Sequence, residues 1–288
     1  MPELPEVETT VRGLNKKVLG RTFLNVWTDF GNIIKKPKSF EQFKKEIKGK
    51  KIKKVWRKGK NIIFELSENS SLLIHQKLTG HLLYGTWNME DGTWEPETPG
   101  PLKEKINRYI HLMFYLDGGK MLALSDLRKF AKIELARTEE IQEELKALGP
   151  DPLRIDFKEF KKRFTAKKGK IKQVLMNQEV ISGVGNIYSD EALFEAKIHP
   201  FKEISKLKEN DLKRIFQALK KVLKKAIKAG GESFSDFRDL EGKKGGFDPF
   251  IKVYRREGEN CLRCGTVIKR LKLAGRSAHF CPKCQTLC

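Results

Sequence analysis

Residues 148–156 read LGPDPLRID, and the character of the chain differs on either side of them. Pro150 and Pro152 each fix φ and remove a backbone N–H, so neither a helix nor a central strand runs through this stretch. It reads as part of a linker over residues 136–155. Upstream come short runs with strand character: KIKKVWRKG (51–59), KNIIFELSE (60–68), SLLIHQKLTG (71–80), RYIHLMFYL (108–116) and KMLALSD (120–126). Such runs, bounded by turn residues, predict strands. Asp117-Gly118-Gly119 joins the last two as a hairpin. Residues 5–19 instead space Val7, Val11, Leu14 and Val18 three or four apart, as an amphipathic helix does, with Pro5 at its start and Gly20 at its stop. Residues 1–135 are therefore expected to form a β-sandwich with a packed helix. Within them TWNMEDGTWEPETPGPLKEK (86–105) is rich in turn formers and reads as an exposed loop.

Downstream of the linker the text turns helical. DFKEFKKRFTAKK, IKQVLMNQ, NIYSDEALFEAK and LKENDLKRIFQALKKVLKKAIKAGG follow one another, and the last places Leu212, Ile215, Leu219, Val222 and Ile227 on one side with lysines opposite. Residues 156–255 are read as a helical domain and 256–288 as a cysteine-bearing hairpin, so the chain is α+β with two domains. FRDLEGKKGGFDPF (237–250) is loop-like, and the stretch from Gly230 to Phe250 suits a mobile lid.

The composition fits this division. Of 288 residues, 39% are hydrophobic and 33% charged, which excludes an intrinsically disordered chain. No apolar run approaches the roughly 18 residues of a membrane span, and the N-terminus lacks a signal-peptide layout. No membrane association and a cytoplasmic location are expected. Lys and Arg total 59 against 37 acids, a formal net charge of +22 spread along the chain. That excess points to a nucleic-acid partner held by counterion release.

Five cysteines argue against a disulfide framework in such a location. Four of them, Cys261, Cys264, Cys281 and Cys284, form C-x2-C-x16-C-x2-C, which can set four thiolates tetrahedrally around one structural Zn²⁺. Cys288 lies outside the spacing. Lys269, Arg270, Lys272 and Arg276 between the two pairs make the hairpin basic enough to face phosphate. Gly183-Val-Gly185 lacks both the third glycine and the preceding strand of a dinucleotide site, so no nucleotide cofactor is expected. A tight turn that brings backbone N–H groups and Asn186 to a phosphate at a helix start is the better reading.

PELPEVET at the N-terminus, GVGNIY followed by EALF in the helical region, and the terminal cysteine pattern together resemble bacterial formamidopyrimidine-DNA glycosylase, and the correspondence spans essentially the whole chain. The resemblance implies an N-terminal β-sandwich with its helix, then a helix–two-turns–helix domain with a zinc-finger hairpin. It implies damaged double-stranded DNA as partner, bound in a basic cleft between the halves, with oxidised purines excised; a monomer is the default expectation. It makes Pro2, freed by removal of Met1, the nucleophile, since an α-amino group of pKa about 7.7–8.0 is partly neutral near pH 7. Glu3 is implied as proton donor, Lys60 in base release and β-elimination, Arg276 in δ-elimination, and Glu6 as a residue of the pocket. Leu78, Arg128 and Phe130 are implied to fill the gap left by a flipped base. His75, Lys167, Asn186 and Arg276 are implied phosphate contacts.

Departures from the family pattern touch DNA binding rather than chemistry. The wedge reads RKFA where RRFG is usual, Leu78 replaces a common methionine, and Tyr109 stands at a DNA-contacting position typically held by histidine. The endonuclease VIII branch, specific for oxidised pyrimidines, usually has glycine where this chain has Leu4, which favours the purine enzyme. A non-catalytic zinc-ribbon protein would not need Pro2, Glu3 and Lys60.

Overall fold

The strand-like runs of the N-terminal part form two sheets, and one face of each meets a shared apolar core. The computed structural model describes residues 1–234 and 236–287; Ser235 and Cys288 lie outside the described residues. Two units separate, Met1–Lys146 with Ala229–Gly246, and Ala147–Lys228 with the residues from 247 onward.

In the first unit α1 (Leu4–Lys17) precedes β1 (Phe23–Thr28), β2 (Ile34–Lys36), α2 (Phe40–Ile47), β3 (Ile52–Lys58), β4 (Asn61–Leu66), β5 (Ser70–His75) and β6 (His81–Gly85). Then follow β7 (Trp87–Glu90), β8 (Thr93–Pro96), β9 (Ile110–Leu116), β10 (Met121–Ser125), β11 (Lys132–Arg137) and α3 (Thr138–Leu145). One sheet has the order β1-β9-β10-β6 and the other β2-β11-β5-β4-β3. All pairings are antiparallel except β2 with β11. Phe23, Phe114 and Leu122 of the first sheet share a core with Phe64, Ile74 and Ile133 of the second, and Val7, Val11 and Leu14 of α1 join it. The β9–β10 turn uses Gly118 and Gly119 at φ +75° and +71°, a conformation only glycine adopts without strain.

Three readings of the sequence change here. Residues 86–105 are not an exposed loop throughout: β7 and β8 pair around Asp91-Gly92, and Trp87 and Trp94 are buried in a second apolar cluster with Met113 and Ala123, while residues 97–105 remain largely exposed. That covers the other face of the four-stranded sheet. Residues 138–145, placed in the linker by sequence, form α3, which packs on β5 and β11. Residues 229–246, placed in the helical domain, belong to the first unit instead. Leu240 explains why: its side chain lies in the sandwich core, its carbonyl accepts from Tyr84 N at 2.7 Å, and it comes so close to Gly13 that a Cβ there would meet it at 2.8 Å.

The second unit is built from α4 (Phe157–Thr165), α5 (Ile171–Met176), α6 (Asn186–Ala196) and α7 (Glu209–Lys228), followed by the hairpin β12 (Lys269–Leu273) and β13 (Arg276–Phe280). Asp156 caps α4 by accepting from Glu159 N at 2.8 Å. Helix α6 is buried around most of its circumference, charged Asp190 and Glu191 included. On α7 the inward face is Leu212, Ile215, Leu219, Leu223 and Ala226, while Val222 and Ile227 are only half-buried.

Candidate active site and zinc hairpin

Helix α1 begins at a carboxylate box. Glu3 is its N-cap residue, and Glu3 N–H donates to Glu6 Oε2 at 2.8 Å. Glu3 thus has a folding role that the sequence did not reveal, because Leu4, not Pro5, is the first helical residue. The other oxygen of Glu6 accepts from Glu232 N at 2.9 Å. Gly231, at φ +87°, lies against this carboxylate, and a Cβ there would stand 2.9 Å from Glu6 Oε1. Both carboxylates are 1% exposed, and Pro2 is buried beside them.

Strand register directs Lys60 toward the same end of the helix. Helix α1 packs against β3 and β4. Asn15 Nδ2 donates to Val55 O at 2.8 Å, and seven residues nearer the helix start Arg57 Nε donates to Glu8 Oε2 at 2.6 Å. The strand therefore climbs toward the N-terminus of α1, and the β3–β4 turn at Gly59-Lys60 follows in that direction, with Lys60 only 8% exposed. Glu8 is structural. Burial raises its pKa, but hydrogen bonds and charge from Arg12 and Arg57 outweigh this and hold it below the usual carboxylate range.

His75 sits at the end of β5 opposite Asn61. Its Nδ1 accepts from Lys77 N at 2.9 Å, which places the proton of the neutral ring on Nε2. Burial, then the charges of Lys77, Lys60 and Lys132, lower its pKa to about 3. It is thus a neutral N–H donor beside three ammonium groups.

Leu78 lies in the turn after β5 and is half-buried, whereas Arg128 is exposed and Phe130 is 50% exposed in the turn after β10. The Arg128 guanidinium stacks over the Phe130 ring, 4.7 Å from its centroid. Tyr109 is half-buried just before β9, and its carbonyl accepts from Asp126 N at 2.8 Å.

In the second unit, the Gly183-Val184-Gly185 turn is shaped by Gln178, whose Oε1 accepts from Gly183 N at 2.8 Å while its Nε2 donates to Val184 O at 2.8 Å. The turn delivers Asn186 to the first position of α6, and Asn186 Oδ1 is enclosed without a hydrogen-bond partner. Lys167 is exposed just beyond α4. Arg276 is exposed at the start of β13, after a tight turn in which Ala274 and Gly275 both have positive φ. Behind that turn Lys172, 1% exposed, pairs with buried Asp190 at 2.6 Å and donates to Ser277 O at 2.5 Å. In sequence Lys172 looks like one more lysine, because an amphipathic pattern does not show which charge is inside.

The sulfurs of Cys261, Cys264, Cys281 and Cys284 all lie within 4.8 Å of one another, the only such ligand cluster among the described residues. The Cys264–Cys281 and Cys261–Cys284 separations, 3.4 and 4.0 Å, bracket the roughly 3.8 Å that a tetrahedron with Zn–S near 2.3 Å requires. Arg263 N and Cys284 N point at Cys261 Sγ and Cys281 Sγ at 3.4 Å, stabilising thiolate charge. Four thiolates fit a structural zinc ion and leave no open position for substrate.

Comparison with known proteins agrees along the whole length. The profile of the formamidopyrimidine-DNA glycosylase N-terminal domain matches residues 1–133, that of the formamidopyrimidine-DNA glycosylase H2TH domain matches 148–238, and a zinc finger found in FPG and IleRS matches 258–287. Proteins named formamidopyrimidine-DNA glycosylase from Desulforamulus reducens and Solibacter usitatus are 36% and 38% identical, each alignment covering 99% of both chains. Lactococcus lactis FPG (MutM), crystallised with DNA containing Fapy-dG, superposes with a TM-score of 0.85 at 34% identity, over 99% of this chain and 100% of that one. Lactococcus lactis Fpg in complex with DNA containing an abasic site also gives 0.85, at 35% identity, over 99% of each chain.

Proposed function

The chain belongs to the formamidopyrimidine-DNA glycosylase family, and on that premise we propose that it excises oxidised purines from duplex DNA and then cleaves the strand as an AP lyase. The observation that carries this reading is the buried start of α1, where Pro2 precedes two carboxylates. Removal of Met1 leaves Pro2 as a secondary amine. Its lone pair attacks C1′ of the damaged nucleotide, the glycosidic bond breaks, and the base leaves with the bonding electrons. Glu3 supplies the proton that opens the sugar, and loss of the ring C–O bond yields an iminium between Pro2 and C1′. That electron sink acidifies C2′, so the 3′ phosphate departs by β-elimination and the 5′ phosphate by δ-elimination. Lys60 serves base release and the first elimination, and Arg276 the second.

Glu6 holds residues 231 and 232 at the pocket. His75, Lys167, Asn186 and Arg276 hold phosphates, with His75 acting as a neutral donor. Leu78, Arg128 and Phe130 fill the stack, with Arg128 reaching the widowed base and Tyr109 on the adjoining DNA contact. The protein acts as a monomer, and no nucleotide cofactor takes part. Support for the substrate class comes from the Lactococcus relatives, whose crystals hold DNA with Fapy-dG or an abasic site.

Incision of duplexes carrying 8-oxoguanine opposite cytosine, beside duplexes carrying thymine glycol, tests the assignment. Preference for the purine lesion, with phosphate at both new ends, is expected. Preference for thymine glycol places the chain with the pyrimidine enzymes instead.

A further inference from the structure

The three side chains proposed to fill the stack come from two turns far apart in sequence, and a buried polar contact joins those turns. The first turn, residues 76–80, closes with Gly80 N donating to Gln76 O at 3.1 Å, and a Cβ at Gly80 would stand 2.5 Å from that oxygen. It sets Leu78 next to Thr79, whose side chain turns inward and is 7% exposed. The second turn begins at Asp126, 1% exposed, and presents Arg128 and Phe130.

Thr79 Oγ1 donates to Asp126 Oδ1. The same hydroxyl oxygen accepts from Arg128 N at 3.1 Å. Asp126 Oδ1 receives a longer contact from Arg128 N, 3.4 Å, and Asp126 Oδ2 accepts from Ala131 N at 2.8 Å. Lys129 N donates to Asp126 O at 3.0 Å, with Lys129 itself held at φ +55°. Three of the backbone N–H groups of residues 128–131 are thus fixed by Asp126 or Thr79. A buried carboxylate accepting several donors makes strong, directional contacts.

We infer that Thr79 and Asp126 are positioning residues that clasp the two turns into one preformed wedge; the inference rests on the proposed roles of Leu78, Arg128 and Phe130. Neither residue reaches the surface enough to read DNA. Their effect is to fix Arg128, and the Phe130 ring stacked with it, relative to the turn that carries Leu78 before DNA arrives. Preorganisation of this kind removes an ordering cost from the step that extrudes the base.

Thr79→Val keeps the side-chain shape and deletes the hydroxyl, whereas Thr79→Ser restores it. Two substrates separate the clasp from the chemistry: a duplex with 8-oxoguanine, whose stack must be filled, and a single-stranded oligonucleotide with an abasic site, which has no opposite base. For Thr79→Val, single-turnover cleavage of the 8-oxoguanine:cytosine duplex is expected to slow roughly tenfold, the equivalent of about one lost buried hydrogen bond. Preference for cytosine over adenine opposite the lesion should narrow, because Arg128 loses its register. Borohydride trapping of the single-stranded abasic oligonucleotide should be unchanged, and Thr79→Ser should recover the duplex rate. An unchanged duplex rate in Thr79→Val, an equal loss on both substrates, or no recovery with serine overturns the clasp. A wild-type protein that fails to trap the abasic oligonucleotide overturns the underlying functional reading, and the clasp with it.

Discussion

Glu6 and Glu232 are joined across 226 positions of sequence by a hydrogen bond of 2.9 Å from the Glu232 backbone N–H to Glu6 Oε1. The other Glu6 oxygen is occupied by Glu3 N at 2.8 Å. One carboxylate therefore sets both the start of α1 and the course of the returning segment. Glu6→Gln preserves size but turns an amide NH2 toward one of two N–H donors. The expected result is a loss of about 1–3 kcal/mol of stability, with faster amide exchange at residues 231–233. Unchanged exchange there would show that the contact does not hold the segment.

The His75 ring is expected to stay neutral through the physiological range. Burial and the charges of Lys77, Lys60 and Lys132 lower its pKa to about 3 in the folded protein, against about 6.5 when unfolded. The unfolded chain then binds the extra proton first as pH falls. His75 thus contributes stability that is fully present above about pH 6.5 and is lost as pH falls from there through the folded value. Nitrogen shifts of the ring should show Nε2–H and no titration between pH 8 and 5; a midpoint near 6.5 contradicts the assignment.

Lys172 and Asp190 form a buried pair at 2.6 Å that ties α5 to α6 and, through Ser277, to β13 behind Arg276. Lys172→Met removes the cation but leaves Asp190 its contacts from His279 N at 3.0 Å and with His279 Nδ1 at 3.1 Å, so it should cost roughly 1–3 kcal/mol, measured by denaturant unfolding. A second substitution, Asp190→Leu, should deepen that loss, because it leaves the buried His279 N–H without its acceptor. A near-neutral single variant would mean that the His279 contacts alone hold the Asp190 carboxylate.

How much of this was legible beforehand follows from the range of the interactions involved. The strands β3, β4, β5, β9 and β10 and helix α1 were readable because their patterns are local, and the zinc hairpin because four cysteines carry their geometry in their spacing. The β7–β8 hairpin was hidden although Asp91-Gly92 is a turn signal, because Pro and Gly around Trp94 masked a short strand. The return of residues 229–246 could not be read at all: it rests on Leu240 against Gly13 and on Glu232 against Glu6, contacts between opposite ends of the chain. The Thr79–Asp126 contact and the Lys172–Asp190 pair stayed invisible for a related reason, since polar residues give no periodic signal of burial.

Removing the metal should affect the two units unequally. Cys264→Ser breaks the four-thiolate set, so metal release by a colorimetric chelator and weaker DNA binding are expected, while the first unit, with its own core, keeps its fold. The slope of affinity against salt should fall as the phosphate contacts of the hairpin are lost. Equal DNA affinity in the metal-free variant would remove the hairpin from the binding surface.

Covalent capture tests the central claim most directly. Borohydride added during reaction with a duplex carrying 8-oxoguanine should reduce the iminium and leave a stable protein–DNA adduct, located by peptide mapping at Pro2 of a chain lacking Met1. Pro2→Gly should sharply lower the yield. Absence of an adduct, an adduct on Lys60, or an unchanged yield in Pro2→Gly would contradict the assignment of Pro2 as nucleophile.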